Sequence, residues 1–194
     1  MALSVILILY FSIGLLAAAG SIFIAQKLFS AKAEQIFFAL FLVAIAAFYL
    51  AFTAYFGDQG AWRLETEAMI LFAVFGILGL RLPVVLIIGY CLHGFWDVLH
   101  EIHAFAGVSP FGPHQLTELP LAYGAFCAAF DWCVAGYFYT RRREWNAGNL
   151  DALVASKEKA AVLMSELKGD AIAQSQPNER EQHQEGRGYV LITR

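Results

Sequence analysis

The chain has 194 residues, of which 59% are hydrophobic, and it carries 13 Lys and Arg against 16 Asp and Glu, a net charge of −3. Residues 1–140 hold only four of the basic side chains, and residues 141–194 hold the other nine. This pattern excludes an ordinary soluble domain, whose surface would carry charge throughout. It also excludes a strongly basic nucleic-acid-binding arm, since residues 141–194 contain eight acidic side chains as well.

Five apolar stretches before residue 141 are long enough to cross a membrane as helices. A span needs about 20 predominantly apolar residues, and its backbone groups must be satisfied internally, which favours the α-helix. The first stretch lacks the positive charges and the cleavage site of a signal peptide, so we assign it as the first helix. The predicted spans are residues 1–25, 35–56, 64–80, 82–104 and 119–140. We therefore predict an all-α integral membrane bundle of five transmembrane helices.

The basic residues of the short loops indicate the orientation, because cytoplasmic loops carry an excess of Lys and Arg. With the N-terminus outside, the inner side collects six basic residues and the outer side one, Arg63. The six are Lys27, Lys32, Arg81, Arg141, Arg142 and Arg143. We therefore expect the N-terminus outside the cell and the C-terminus in the cytoplasm.

A change of composition after the fifth span separates a transmembrane domain, residues 1–146, from a second region, residues 147–194. Apolar residues recur at helical spacing between residues 150 and 168, interleaved with charged ones. This periodicity predicts a short amphipathic helix on the cytoplasmic side. Residues 174–188 are polar and contain helix breakers, so we expect a disordered C-terminal tail.

The fourth span contains most of the ionisable residues that lie at membrane depth. His93, Asp97 and His100 follow one another at i, i+4 and i+7, so they project from one face of the helix. At 1.5 Å per residue, His93 lies about 17 Å from the inner end of the span, near the middle of the bilayer. Each ionisable group costs roughly 2.5–3.5 kcal/mol to insert there, so the cluster indicates a functional site.

Other parts of the chain supply ionisable groups at matching depths. Asp131 on the fifth span lies roughly 13 Å from the inner end, level with the first histidine of the cluster. Glu67 lies about one turn inside the outer end of the third span, level with the last histidine. His114 belongs to the following outer loop. Glu34 and Glu65 stand at helix starts, where an acidic side chain favours the helix dipole and needs no further role.

Several short motifs along about residues 34–140 occur in a recognisable order. They are Glu67, an apolar helix ending in Gly79, His93-x-x-Trp96-Asp97-x-x-His100, Phe130-Asp131 and Ala135-Gly136-Tyr137. In these motifs the chain resembles an uncharacterised family of small multi-pass bacterial membrane proteins. The resemblance implies a location in the bacterial inner membrane and supports the choice of site residues, and it implies no substrate.

The cluster has the composition of a metal site. Imidazole and carboxylate groups suit zinc and iron, and a site with an open position can activate water or oxygen. The candidate ligands are His93, Asp97, His100, Asp131, Glu67 and His114, of which Asp97, Asp131 and Glu67 are also the candidate catalytic residues. Because the surroundings are a lipid bilayer, the hypothesis is a metal-dependent hydrolase or oxidoreductase that acts on a lipidic substrate at an outward-facing site.

Other functions could use the same residues. A series of histidines and acids from the outer face to mid-depth is also typical of a proton relay or a cation path, which with so few helices would require a homo-oligomer. A further class is an accessory subunit of a larger membrane complex that binds haem, a pigment or a quinone. For any single residue, a structural bond such as His93 to Asp97 or Asp131 is the alternative, because a buried charge is retained only if it is paired.

The orientation can be tested with single cysteines in a variant whose Cys91, Cys127 and Cys133 are replaced by Ala. His114→Cys should react with a membrane-impermeant thiol reagent added from outside, whereas Lys157→Cys should react only after the membrane is opened. If both label from the same side, one of the five predicted spans is wrong, and residues 1–25 are the first to doubt.

Overall fold

The computed structural model describes residues 2–112 and 115–175, and all the regular secondary structure within these ranges is α-helix. The five helices are α1 (Ala2–Leu28), α2 (Ala31–Phe56), α3 (Trp62–Gly79), α4 (Pro83–Ala106) and α5 (Tyr123–Ser175). Contacts divide the chain into two compact units, Met1–Leu150 and Asp151–Arg194. The predicted all-α class is confirmed.

Three of the described helices, α1, α2 and α4, are long and apolar enough to cross a membrane. The sequence predicts two more spans, in α3 and in the first part of α5, which do not meet that standard. The α3 helix has 18 residues and carries Arg63, Glu65 and Glu67 in its first two turns. In α5, Asp131 and several Tyr and Trp side chains interrupt the apolar residues. Length and composition therefore support three of the five predicted spans.

The helix ends have ordinary chemical causes. The Ser30 side chain accepts a hydrogen bond from the Ala33 N–H at the start of α2, as an N-cap residue does. Pro83 opens α4, where its missing N–H costs nothing. Gly57 and Gly107 end α2 and α4 in the left-handed conformation, with φ of 68° and 65°, which a side chain would strain. These breaks set the lengths of α2 and α4.

The hydrophobic core of the first unit lies where α2, α4 and α5 meet. Phe38, Leu42, Leu86, Tyr90 and Phe138 are fully buried there. The Tyr90 hydroxyl donates to the carbonyl oxygen of Phe38 over 2.8 Å, so this large side chain leaves no polar atom unsatisfied. The core fixes α4 against α2 and α5 and thereby fixes which face of α4 is buried.

The fully buried positions of the α1 helix are all small residues. Its buried positions are Gly14, Ala18 and Ala25, while most of its large apolar side chains are exposed. At Gly14, a Cβ atom would lie 2.2 Å from the carbonyl oxygen of Phe126, so the two backbones approach as closely as glycine permits. Small residues at helix contacts with apolar side chains facing outward are typical of helices packed in lipid.

Glu34 joins three helices at one end of the unit instead of acting only at a helix start. Its carboxylate is 1% exposed and contacts the Arg141 guanidinium, with Oε2 3.0 Å from Nη1. The Tyr137 hydroxyl donates to the other carboxylate oxygen, and Gln26 Nε2 donates to that hydroxyl over 3.0 Å. The network therefore links α1, α2 and α5 through one buried acid.

The segment predicted as a separate amphipathic helix, residues 150–168, is helical and falls within α5, which ends at Ser175. Its helical state agrees with the periodicity of the sequence, and its apolar side chains are exposed. The tail predicted to be disordered begins at residue 174, and from residue 176 on it lies outside the described residues, so that prediction stands as a prediction.

Two glycines of α5 provide a matched test of the packing between α4 and α5. A Cβ at Gly124 would lie 2.5 Å from the Asp97 carbonyl oxygen, whereas a Cβ at Gly136 would meet nothing within 4 Å. Gly124→Ala should lower the free energy of unfolding by about 1–3 kcal/mol through overpacking. Gly136→Ala should leave it unchanged or raise it by up to about 1 kcal/mol through helix propensity. Thermal unfolding in mild detergent measures both, and equal effects would contradict the described contact.

Candidate metal centre

One face of α4 carries the ionisable residues of the site. His93, Asp97 and His100 are 1%, 0% and 0% exposed, so the face that the sequence predicts to be shared is wholly buried. It is covered by α2, α3 and α5, and α5 approaches closely because the glycines at the contact have no side chains. Gly94 of α4 faces the Trp132 ring, and Gly124 of α5 faces the Asp97 backbone.

Three side chains meet at this contact and form the candidate metal centre: His93, Asp97 and Asp131. His93 Nδ1 lies 2.6 Å from Asp131 Oδ2 and 3.4 Å from Asp97 Oδ2. One potential ligand atom from each residue lies within 4.8 Å of the others. Of the groups predicted from the sequence, the structure therefore brings together His93 and Asp97 of α4 and Asp131 of α5.

Each residue of the candidate metal centre also has a buried atom that forms no hydrogen bond with any described residue. These atoms are His93 Nε2, Asp97 Oδ2 and Asp131 Oδ1. A buried polar atom without a partner is costly, by about 1–3 kcal/mol in proteins. Two carboxylates and one imidazole in an apolar bundle carry excess negative charge, so the arrangement suits a bound cation or a shared proton.

Tyr49 of α2 is a site residue that the sequence analysis missed. Its side chain is buried, and its hydroxyl donates to Asp97 Oδ1. Its ring lies 4.4 Å from the His100 ring between centroids. The sequence does contain an indication of this role, because a tyrosine within an apolar helix needs a hydrogen-bond partner for its hydroxyl group. Tyr49 therefore holds the Asp97 carboxylate in a fixed orientation.

His100 belongs to a second buried pair with Glu65 of α3. His100 Nε2 lies 2.7 Å from Glu65 Oε1, and His100 Nδ1 lies 3.0 Å from the Trp96 carbonyl oxygen. The same Glu65 oxygen accepts the Thr117 N–H over 3.0 Å. Both ring nitrogens of His100 thus face acceptor oxygens, and neither is directed to His93, Asp97 and Asp131. His100 therefore joins α4 to α3, and Glu65 joins this pair to the segment before α5.

Glu67, predicted at the level of His100, lies on the opposite side of α3. Its side chain is 59% exposed and pairs with Arg63 over 2.9 Å. Two positions along a helix rotate the side chain by about 200°, so Glu65 faces the bundle when Glu67 faces away. The buried residues Phe72, Gly76 and Gly79 share the face of Glu65, and this periodicity would have identified Glu65. His114 lies outside the described residues.

A small cavity of about 200 Å³ reaches the candidate metal centre from the side of the helix bundle. It lies between the middle of α2 and residues 123–131 of α5, and its walls are almost entirely apolar. Phe48 on its wall is 51% exposed, whereas Asp131 at its other limit is 1% exposed. The cavity therefore connects the lateral surface of the bundle with one of the three site residues.

Comparison with known proteins places these residues in a family. A family model described as a family of unknown function, DUF6010, matches residues 11–144. The matched range contains the candidate metal centre, Tyr49 and the pair of Glu65 with His100, and it extends further toward the N-terminus than the resemblance over residues 34–140. No curated protein and no solved structure matches the chain.

Glu65 and Glu67 allow a matched test of the second buried pair. Glu65→Gln removes the charge that pairs with buried His100 and should lower the free energy of unfolding by about 3–5 kcal/mol. Glu67→Gln breaks only an exposed pair and should change it by less than about 1 kcal/mol. Thermal unfolding of the two variants measures the difference, and a Glu67→Gln effect as large as that of Glu65→Gln would show that α3 is oriented differently.

Proposed function

The chain belongs to the DUF6010 family, a family of unknown function, and we propose that it is an intramembrane metal-dependent enzyme that acts on a lipidic substrate. The observation that carries the proposal is the meeting of His93, Asp97 and Asp131, three buried side chains whose ligand atoms lie within 4.8 Å of one another. Supporting it is Asp97 Oδ2, a buried atom that has no hydrogen-bond partner among the described residues and that a cation could engage.

The charge balance favours a divalent cation. If both carboxylates are ionised, a neutral His93 leaves two negative charges in a site with almost no exposure, and a divalent ion balances them. One imidazole with two carboxylates is a ligand set that zinc or iron accepts. Three protein ligands leave an open coordination position, which is the arrangement of catalytic rather than structural sites.

The surrounding residues act on the ligands. The Tyr49 hydroxyl group holds Asp97 through one carboxylate oxygen, which leaves Oδ2 for a cation. Such partners orient ligands and are part of the design of a metal site. The bond between His100 and Glu65 keeps α4 in register with α3. In this proposal His100 and Glu65 are positioning residues, and Glu67 has no part in the site.

The chemistry follows from the open position and the cavity. A bound zinc ion would supply a water molecule acidic enough to be hydroxide near neutral pH. In the hydrolysis of a lipid ester or amide, the water oxygen bonds to the acyl carbon and the bond to the alcohol or amine breaks. The proton released by the water passes to the leaving group, and Asp131, which borders the cavity, is the carboxylate in position to carry it. With iron, the same open position suits oxidation by dioxygen.

The proposal includes the orientation predicted from the loop charges. The protein would cross the bacterial inner membrane five times, with the N-terminus outside, and the lipid bilayer would be both its environment and the source of its substrate. Supporting this are the three apolar helices and the exposed apolar surface of α1.

Removal of the metal tests the proposal. Chelation should lower the melting temperature of the wild-type protein by about 5 °C or more. An ion present at a hundredfold excess over its Kd contributes about 2.7 kcal/mol, and each kcal/mol moves the melting temperature by about 2–4 °C at this chain length. His93→Ala and Asp97→Asn should each abolish the response, and zinc or iron should restore stability only in the wild type, with elemental analysis giving the metal content.

His103→Ala is the matched control, because His103 lies on the same helix outside the candidate metal centre and its loss should leave the chelator response intact. Wild-type protein whose melting is indifferent both to chelator and to added metal would overturn the proposal. The proton- or cation-conducting function would then be the better account of the same buried residues.

A further inference from the structure

We infer that the cavity between α2 and α5 binds a single-chain long-chain alcohol, with its chain between the two helices and its hydroxyl group hydrogen-bonded to Asp131. This inference deepens the proposed function and rests on it in one respect, the charge state of the site. A long-chain alcohol is the leaving group of the ester hydrolysis described above and a substrate for the oxidation, and it would pass through the lateral opening of the cavity.

The walls of the cavity select an apolar chain. Phe41, Ile45 and Phe48 of α2 form one side and lie in the middle of a helix that is long and apolar enough to cross a membrane. The other side consists of α5 residues, of which only Tyr123, Cys127 and Asp131 are not purely hydrocarbon. A membrane-embedded opening of this composition admits the hydrocarbon part of a lipid and not a dissolved polar substrate.

Asp131 supplies the one strong polar contact at the buried end. One oxygen, Oδ2, contacts His93, while Oδ1 is buried without a hydrogen-bond partner among the described residues. A carboxylate oxygen is an acceptor, so the complementary ligand group is a hydrogen-bond donor. A ligand that lacks a donor would leave this oxygen unsatisfied at the end of an apolar channel.

Size and charge disfavour the commoner lipids. About 200 Å³ is less than the roughly 300–1,000 Å³ of a pocket for a drug-sized ligand, which favours one chain segment over a two-chain lipid. None of the described residues that line the cavity is basic, which disfavours a phosphate head group. A cation at the candidate metal centre would already balance Asp131, so a neutral hydroxyl group suits the end of the cavity better than an ammonium group.

Two ligands with the same chain separate the hydroxyl contact from the chain contact. 1-Dodecanol carries the donor hydrogen, and dodecyl methyl ether lacks it. In a Cys91→Ala, Cys133→Ala variant, the only remaining native thiol is Cys127, which lines the cavity. The rate of its reaction with N-ethylmaleimide, in protein reconstituted into lipid nanodiscs, reports whether the cavity is filled.

The alcohol should slow the labelling of Cys127, and the ether should need about a tenfold higher concentration for the same protection, the loss expected for a hydrogen bond to a charged acceptor. A variant that keeps only Cys133 should be unprotected by either compound. Equal protection by alcohol and ether would overturn the hydroxyl contact, and equal protection of Cys127 and Cys133 would overturn the site.

A blocking substitution gives an independent readout. Ile45→Trp fills the cavity, whereas Leu40→Trp adds the same side chain at an exposed position of the same helix, 59% accessible. The alcohol should raise the melting temperature of the wild type and of Leu40→Trp and should have no effect on Ile45→Trp. If Ile45→Trp fails to fold, Ile45→Phe replaces it, and the Cys127 labelling does not depend on either variant.

The chelator response of the same samples distinguishes the two proposals. A wild type that loses stability on chelation but is indifferent to the alcohol overturns the cavity inference and leaves the metal proposal standing. A wild type that is protected by the alcohol but indifferent to chelation overturns the metal proposal and supports a binding site for long-chain alcohols without metal chemistry.

Discussion

The burial of two carboxylates beside one imidazole, at the contact between α4 and α5, is the constraint on which the rest of the molecule depends. Water would solvate these groups at no cost, and an apolar bundle must compensate for them with fixed partners. Asp131 has to reach His93 across the contact, which it does at 2.6 Å. That distance is possible because Gly124 lets the α5 backbone come up to the Asp97 backbone. The close helix contact that the glycines allow is therefore a condition for the pairing of the buried charged residues.

The same constraint explains why the polar partners of α4 come from three different helices. Tyr49 of α2 donates to Asp97, Glu65 of α3 contacts His100, and Asp131 of α5 contacts His93. Because each partner occupies a different neighbouring helix, the arrangement of α2, α3 and α5 around α4 is specified by hydrogen bonds as well as by shape. Apolar packing alone specifies helix order weakly where the surroundings are as apolar as the core.

Much of this could be predicted from the sequence, and the limits have physical causes. Spacing alone placed His93, Asp97 and His100 on one face, because helical periodicity is a local property. Depth along the helix also paired Asp131 with His93. The rotation of α3 was not predicted, since Glu65 and Glu67 both lie in its first two turns and only tertiary packing decides which one is buried. The role of His100 depends on this rotation of α3. A buried histidine can bind a metal ion or pair with acceptor oxygens, and only the groups that face its ring nitrogens decide between the two.

The attachment of α1 has a consequence for how much its sequence can vary. Hydrocarbon distinguishes an apolar side chain from a polar one but hardly distinguishes Leu from Ile or Phe, so the outward positions of this helix carry little information beyond their hydropathy. Gly14 is different, because it touches a backbone carbonyl and no other residue fits there. Most positions of α1 therefore tolerate any apolar residue, and a few tolerate only one. Related chains could differ widely in the sequence of α1 and still pack this helix in the same place against α5.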